Sequence, residues 1–352
     1  MLTSPADMLR RATGRVTGRL SSLPILALSV HSACNCRCVM CDIWKANANK
    51  REISIETLQG HLDAIRALGV QRVMLTGGEP LLHTNLWRFC SLLQDEGVAL
   101  TLVTTGLLLE RHAADIREFI DEVVVSIDGW SDTHDAIRHT PGGFTRIARG
   151  VATLRDGASR PHVIGRSVVQ KANCSEVDAT VQAVAAIGVD RLSFLAVDVS
   201  SSAFNRPAPW SLERKQEVGL GRDDLPRFAD SIRRAEARCR AEFASGFVVG
   251  GARSLWRIHD HFAAATGVGN WPRAQCNAPW MSAVLDADGT LRPCFFQPAY
   301  ASAVEGSRGA SDLRSTLNSP QSIAFRRELD VRSNEICREC VCRLSLPLFR
   351  RA

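Results

Sequence analysis

The chain has 352 residues, of which 45% are hydrophobic and 23% are charged, and its formal net charge is +6 at pH 7. This composition excludes a disordered or fibrous protein, and no apolar run is long enough to predict a membrane-spanning helix. The positive charge is spread along the sequence, which does not favour a dedicated nucleic-acid-binding face. The N-terminal arm lacks the apolar core and cleavage site of a secretion signal, so we expect an amphipathic surface helix and a cytoplasmic protein.

Short β-branched or leucine-rich runs alternate with amphipathic segments through the first half of the chain. The predicted strands, in chain order, cover 25–30, 72–76, 99–104, 122–127, 162–169 and 191–197. A helix is predicted between the first two strands, from the N-cap Ser54 to Gly69. Six strands with helical crossovers predict an α/β fold, a parallel sheet curved into a partial (β/α)6 TIM-like barrel. In such barrels the functional residues gather at the C-terminal ends of the strands.

The strand rhythm stops after the sixth run. A helix over 225–243 and a short strand over 247–249 are predicted there, in a connector that we expect to border the substrate pocket. The turn residues from Asp286 to Gly289 then predict a hairpin over 282–285 and 290–293. The predicted organisation is an N-terminal extension (1–23), the barrel (24–198), the connector (199–270) and a small cysteine-rich α+β module (271–352).

The twelve cysteines fall mostly into two groups. Cytoplasmic thiols are kept reduced, so a metal or cluster explains these groups better than disulfides do. The first group is Cys34, Cys36, Cys38 and Cys41, and the second is Cys276, Cys294, Cys337 and Cys340, with Cys342 just beyond.

The first group contains the spacing C-x3-C-x2-C, directly after the first strand. Three thiolates, Cys34, Cys38 and Cys41, leave one iron of a [4Fe–4S] cluster open to an external ligand. A zinc site is the alternative, and it needs a fourth ligand such as Cys36 or His31.

A second motif, Thr76-Gly77-Gly78-Glu79-Pro80, ends the second strand. Its tandem glycines allow a ligand to approach the backbone closely, and Glu79 offers a carboxylate to a cation such as an α-ammonium group.

Together these two motifs resemble the radical S-adenosylmethionine superfamily, and the resemblance covers about the first two hundred residues. It implies a [4Fe–4S] cluster whose open iron binds S-adenosylmethionine, and reductive cleavage of that cofactor to a 5′-deoxyadenosyl radical. The cofactor contacts implied, with decreasing support from the motifs, are Gly77, Gly78, Glu79, Pro80, Ser126, Asp128, Arg166 and Asn173. For the last four, ordinary strand-end turns or surface positions are the competing interpretation. Met40 stands where the family often has an aromatic residue, and Cys36 is interpreted as a bystander.

The second group combines Cys276, Gly289 and Cys294 with a later C-x2-C pair, Cys337 and Cys340. Four thiolates bind either zinc or an iron–sulfur cluster. The pattern resembles the SPASM auxiliary-cluster module in its shortened Twitch form, which implies one auxiliary [4Fe–4S] cluster. The choice between Cys340 and Cys342 as the last ligand stays open.

The cysteine spacing is also similar to that of 2-deoxy-scyllo-inosamine dehydrogenases, which implies oxidation or other tailoring of a small polar, sugar- or cyclitol-like metabolite. The alternative is a peptide-modifying maturase that forms a thioether or carbon–carbon crosslink. About 23 residues precede the first strand, which disfavours a separate leader-peptide-binding domain there. Either function requires an electron donor such as flavodoxin or ferredoxin. The motifs disfavour a zinc-bound nucleic-acid module, and the sequence assigns no general acid or base.

Overall fold

The computed structural model describes residues 5–157, 159–300 and 313–346. Its strands are β1 (Ile25–His31), β2 (Arg72–Gly77), β3 (Ala99–Thr104), β4 (Glu122–Ser126), β5 (His162–Val169), β6 (Arg191–Ala196), β7 (Ser282–Leu285) and β8 (Leu291–Arg292). All six predicted barrel strands are confirmed, with ends that differ from the prediction by no more than one residue.

The helices are α1 (Pro5–Thr17), α2 (Ile55–Ala67), α3 (Leu86–Asp95), α4 (Ala113–Phe119), α5 (Ser131–Arg138), α6 (Gly143–Arg155), α7 (Val177–Ala186), α8 (Leu212–Val218), α9 (Leu225–Arg238), α10 (Arg240–Ala244), α11 (Gly251–Ala265), α12 (Ala278–Met281), α13 (Leu313–Leu317), α14 (Pro320–Glu328) and α15 (Glu335–Arg338). Short 3-10 helices cover Ile43–Asn49, Pro80–Leu82 and Arg222–Asp224. Among the described residues, no helix combines the length and the apolar character needed to cross a bilayer.

One eight-stranded sheet carries the fold, in the order β6-β5-β4-β3-β2-β1-β7-β8. Strands β1 to β6 pair in parallel with their sequence neighbours, as the alternating βα pattern predicts. Strand β7 pairs in parallel with β1, from Ile25 opposite Ser282 to Leu28 opposite Leu285. Among the described strands only β8 is antiparallel, and it closes the predicted hairpin with β7. The hairpin assigned to the C-terminal module therefore also extends the barrel sheet.

The two faces of the sheet differ in polarity because side chains alternate along each strand. Residues such as Leu100, Leu102 and Val123 are fully buried. On β5, a Cβ at Gly165 would lie 2.7 Å from Val184 of α7, so this position faces the helices. Its neighbour Arg166 therefore faces the concave side of the sheet. The helix-covered face forms the core, and the concave face carries polar side chains such as Thr101, Glu122 and Arg166.

Local sequence rules explain the helix boundaries well. The hydroxyl of Ser54 accepts a hydrogen bond from the backbone N–H of Thr57, which caps α2, and Gly69 follows this helix with a φ of 59°. In the connector, the predicted single helix breaks at Cys239 into α9 and α10. The predicted short strand reduces to one parallel bridge between Val248 and Leu192.

The N-terminal extension packs on the C-terminal part of the chain. The guanidinium of Arg15 in α1 lies 4.8 Å from the centre of the Trp280 ring. The Asn318 amide exchanges hydrogen bonds with the backbone of Leu20, at 2.7 and 2.9 Å. Arg326 of α14 donates to the Gly18 carbonyl at 2.6 Å. The two ends of the described chain are therefore joined.

Candidate functional site

The cluster loop, residues 32–51 after β1, carries the first cysteine group. Cys38 is buried, whereas Cys34 and Cys41 are partly exposed. The side chain of Asn47 accepts a hydrogen bond from the Cys34 N–H and donates one to its carbonyl, both at 2.9 Å. On the other side, the Val39 N–H donates to the carbonyl of Ile137 at 3.0 Å. The loop is therefore held at Cys34 and next to Cys38.

The thiols of this loop differ in electrostatic environment. A hydrogen bond from Cys36 and the charge of Arg138 lower the pKa of Cys38 to about 6, against the opposing effect of burial. Burial and the neighbouring Cys38 raise the pKa of Cys41 to about 12. Hydrogen bonds to Cys34 and Cys38, together with burial, raise the pKa of Cys36. Of these three thiols, Cys38 therefore ionises most readily.

The donor chemistry of the loop fits an iron–sulfur cluster. In the described part of the chain, no three His, Cys, Asp or Glu side chains form a site for a single metal ion. Each thiolate of a four-iron cluster binds a different iron, so such ligands surround a larger volume than one ion. Cys34, Cys38 and Cys41 share one loop, so they can surround a cluster without converging on a single ion.

The Gly-Gly-Glu motif lies against the start of the cluster loop. A Cβ at Gly78 would lie 2.1 Å from the Ala33 carbonyl oxygen, so the close approach of the two segments requires glycine there. The Gly78 N–H donates to the His31 carbonyl at 2.7 Å, and the Glu79 N–H donates to the Ala33 carbonyl at 2.9 Å. Pro80 is buried and begins the following 3-10 helix. The motif therefore sits beside the predicted cluster.

The carboxylate of Glu79 is completely buried. It accepts hydrogen bonds from the Leu81 N–H at 3.1 Å, the Thr104 hydroxyl at 2.8 Å, and the N–H and hydroxyl of Thr105 at 2.7 Å. The Thr105 hydroxyl also lies 3.0 Å from Asn35 Oδ1 in the cluster loop. Burial raises the pKa of Glu79, against these hydrogen bonds. Glu79 thus links the ends of β2 and β3 to the cluster loop, and its contact with a cofactor ammonium stays a prediction.

Three of the predicted cofactor contacts, Ser126, Asp128 and Asn173, lie at or just after the ends of β4 and β5. Ser126 ends β4 and is half-buried. Asp128 accepts hydrogen bonds from Arg138 Nε at 2.6 Å and from the Val168 N–H at 2.8 Å. Asn173 donates to the carbonyls of Asp128 and Val168 at 3.0 and 3.1 Å. The side chains of Asp128 and Asn173 therefore join β4 to β5, and cofactor binding by either remains a prediction.

Arg166 is the candidate that faces the concave side. Its Nε donates to the Ser193 hydroxyl at 3.3 Å. Burial lowers its pKa, while the nearby Cys342 and Glu122 oppose that change. Arg166 is therefore within electrostatic range of Cys342.

The structure brings the second cysteine group together from three chain segments. The charges of Cys294 and Cys276 add to burial in raising the pKa of Cys337 to about 11. Cys342 is exposed, and the charge of Arg166 acts on its thiol. The Cys340 thiol donates to the Cys342 carbonyl at 2.8 Å. Both Cys340 and Cys342 are within electrostatic range of Cys276, so the choice of the last ligand stays open.

Several residues at these sites were not predicted from sequence. Arg138 Nη1 donates to Cys38 Sγ at 3.6 Å although the two residues are 100 positions apart, so no local motif marks it. The Gln297 amide lies 3.2 Å from Cys337 Sγ and 3.0 Å from Asn334 Oδ1. Gln297 follows Cys294 by three positions, which is a spacing that could have drawn attention to it.

Family comparisons match both parts of the chain. The Radical SAM superfamily matches residues 28–184, and the iron–sulfur cluster-binding SPASM domain matches residues 276–341. These two domains imply a [4Fe–4S] cluster with S-adenosylmethionine and auxiliary cluster binding, in agreement with the motifs above.

Curated relatives share part of this chain. It is 29% identical over 168 residues to AdoMet-dependent heme synthase of Methanosarcina barkeri, covering 47% of this chain and 48% of the relative. It is 27% identical over 249 residues to PqqA peptide cyclase of Ruegeria pomeroyi, covering 69% and 60%. The chain spans about half the length of the curated relatives it matches.

Solved structures share the fold at low sequence identity. Native anSMEcpe with bound AdoMet has a TM-score of 0.62 at 16% identity, covering 90% of this chain and 86% of that one. Streptococcus suis SuiB bound to S-adenosylmethionine has a TM-score of 0.60 at 15% identity, covering 97% and 77%. The matched domains agree with the motifs: the chain carries a Radical SAM superfamily domain over residues 28–184 and a SPASM-type iron–sulfur cluster-binding domain over residues 276–341.

Proposed function

We propose that this radical S-adenosylmethionine enzyme abstracts a hydrogen atom from a small polar metabolite, sugar- or cyclitol-like, and that the outcome is an oxidation. The observation that carries this proposal is the row of polar side chains on the concave face of the sheet, in which Arg166 and Ser193 lie level with Ser126 at the end of β4. Small-molecule sites use a few precisely placed polar side chains to fix the orientation of a polar ligand.

The concave face carries a chain of polar side chains on neighbouring strands. Arg72 donates to the Thr101 hydroxyl at 2.8 Å, and that hydroxyl lies 3.3 Å from Glu122 Oε1. Arg166 and Ser193 continue the polar surface on β5 and β6. Hydroxyl groups of a substrate find both donors and acceptors on this surface.

We assign the ligands of the two clusters from the cysteine motifs. Cys34, Cys38 and Cys41 hold the first cluster, and the bound cluster and S-adenosylmethionine supply the radical chemistry. The auxiliary cluster is assigned to Cys276, Cys294, Cys337 and either Cys340 or Cys342.

Cofactor contacts are part of the same proposal. They are assigned to Gly77, Gly78, Glu79, Pro80, Ser126, Asp128, Arg166 and Asn173. For Asp128 and Asn173 the protein itself occupies the polar atoms, so backbone groups beside them are the better contacts. A small acidic one-electron carrier, flavodoxin or ferredoxin, is the proposed reductant.

A peptide-modifying function is the second candidate, and the relatives favour it. PqqA peptide cyclase carries a peptide substrate in its name and aligns over 69% of this chain. Streptococcus suis SuiB has been solved with the precursor peptide SuiA, and anSMEcpe has been solved with the peptide Cp18Cys.

Deuterium transfer distinguishes the two functions. Cells grown in heavy water supply a deuterated extract, which is separated into a metabolite fraction and a peptide fraction. Each fraction is incubated separately with the reduced enzyme and unlabelled S-adenosylmethionine. We expect deuterated 5′-deoxyadenosine, measured by mass spectrometry, with the metabolite fraction. Deuterium transfer from the peptide fraction alone would establish the second candidate instead.

A further inference from the structure

A buried ion pair lies directly behind the cluster loop. Asp128 is fully buried, Arg138 is nearly so, and Arg138 Nε donates to Asp128 Oδ2 at 2.6 Å. The other carboxylate oxygen accepts the Val168 N–H at 2.8 Å. Arg138 Nη1 is then left to donate to Cys38 Sγ at 3.6 Å. The ion pair therefore orients the Arg138 guanidinium toward the Cys38 thiol.

The backbone of α5 holds the guanidinium in this position. The last carbonyls of a helix have no partner within the helix. At the end of α5, the Ile137 carbonyl accepts the Val39 N–H at 3.0 Å, and the Arg138 carbonyl accepts the Arg37 N–H at 3.3 Å. These bonds flank Cys38 on both sides, so the distance between Cys38 and Arg138 is fixed by backbone as well as by the side chains.

We propose that Arg138 is a positioning residue that hydrogen-bonds the Cys38 thiolate and raises the reduction potential of the cluster held by the cluster loop. The inference rests on the proposed ligand assignment. Reduction adds negative charge to a cluster, and hydrogen bonds to its sulfur atoms and nearby cations favour the reduced form. Asp128 opposes the cation from a greater distance, since Arg138 lies between it and Cys38.

If the Asp128–Arg138 pair were purely structural, its removal would change the stability of the fold and leave the reduction potential of the cluster unchanged. Removing one partner of a buried pair leaves an uncompensated charge and destabilises the fold, whatever the pair does for a cluster. Neutralising both partners relieves that penalty. The double variant Asp128→Asn/Arg138→Met therefore separates an effect on the potential from an effect on folding, because the substituted amide keeps an oxygen that can accept the Val168 N–H.

The barrel offers a matched control at its opposite end. Arg155 lies 3.3 Å from Asp190, whose other oxygen accepts the Val163 N–H at 2.8 Å. This aspartate also binds a backbone N–H of β5, but it precedes β6 and lies away from the strand ends that carry the cluster loop. The double variant Asp190→Asn/Arg155→Met removes a partly exposed pair whose aspartate also binds a backbone N–H of β5.

The experiment uses full-length reconstituted protein in a Cys276→Ala/Cys294→Ala background, which leaves the first cluster as the source of the signal. The midpoint potential is measured by a redox titration followed by electron paramagnetic resonance, with iron content and circular dichroism as checks. We expect Arg138→Met and the double variant to shift the potential to more negative values. Arg138→Lys is expected to fall between them and the parent, and the Asp190/Arg155 control is expected to match the parent.

Two results would overturn the inference in different ways. A folded double variant with full iron content and an unchanged potential would show that Arg138 does not act on the cluster. Absence of iron from a background protein that circular dichroism shows to be folded would overturn the ligand assignment beneath it. If Arg138→Met alone fails to fold, the double variant decides the question.

Discussion

The two cysteine sites differ in how the protein prepares them. In the cluster loop, Cys38 is buried and is held by the end of α5, while Glu79 connects the loop to two strands. In the second site, Cys276 and Cys337 are partly exposed, as Cys34 and Cys41 are, and the Gln297 amide donates to Cys337 Sγ. We therefore expect the first site to be more fully formed before a cluster binds, and the second to gain more of its order from its ligand. Tests that remove ligands or supports should affect the two sites differently.

The largest expected effect comes from removing the first ligand set. In Cys34→Ala/Cys38→Ala/Cys41→Ala we expect iron and sulfide to fall from two [4Fe–4S] clusters to one, and 5′-deoxyadenosine formation to stop, because no open iron remains. Iron and sulfide assays and chromatography of the nucleoside measure this. Retention of both clusters would show that other residues hold the first one.

The complementary variant, Cys276→Ala/Cys294→Ala, removes two auxiliary ligands. We expect it to lose one cluster and most of the oxidised product while it still forms 5′-deoxyadenosine. Circular dichroism checks that it is folded. If folding and cofactor cleavage fail together, the auxiliary site is structural; if full product forms, the auxiliary cluster does not take part in the reaction.

Replacing Glu79, which links the cluster loop to the sheet, should have a smaller effect than removing the cluster ligands. Glu79→Ala removes a charged acceptor from the proposed ammonium contact, and charge-assisted hydrogen bonds of about 1.5–3 kcal/mol correspond to a roughly 10- to 100-fold loss of S-adenosylmethionine affinity. Equilibrium dialysis with reconstituted protein measures it. Glu110→Ala is the control, since that carboxylate pairs with Arg149 on the surface. Unchanged affinity in Glu79→Ala would place the ammonium contact elsewhere.

The smallest expected effect is a pH dependence of stability, with one histidine near each site. Burial and the charge of Arg138 lower the pKa of His134 to about 4, and burial and the charge of Arg343 lower the pKa of His261 to about 4. In the unfolded chain a histidine has a pKa of about 6.5, so it is protonated below that pH while the buried histidine of the folded protein stays neutral. The free energy of unfolding therefore falls as the pH drops. Each histidine should cost on the order of 2 kcal/mol between pH 7 and pH 5.

Denaturant unfolding at the two pH values tests this expectation. His134→Gln and His261→Gln should each reduce the difference in unfolding free energy between pH 7 and pH 5. His139→Gln, at an exposed position, should leave the difference unchanged. A parent protein equally stable at both pH values would contradict the prediction.

The strands, the cysteine triplet and the Gly-Gly-Glu segment could be predicted because each is a local pattern. Alternation marks a strand within a few residues, and the spacing of Cys34, Cys38 and Cys41 lies within one loop. The link from Arg138 to Cys38 could not be predicted, since it depends on how α5 meets the loop in three dimensions. Nor could the pairing of β7 with β1, because a hairpin pattern specifies the turn and says nothing of the outer partner.

The pairing of β7 with β1 has a consequence during synthesis. Strand β1 leaves the ribosome early and gains β2 soon afterwards, but its other edge must wait for Ser282–Leu285. At about 5–20 residues per second, that wait lasts roughly 13–50 seconds. An unpaired, apolar strand edge invites association with other chains during this time. The nascent protein should therefore depend on chaperones until its last third has been translated.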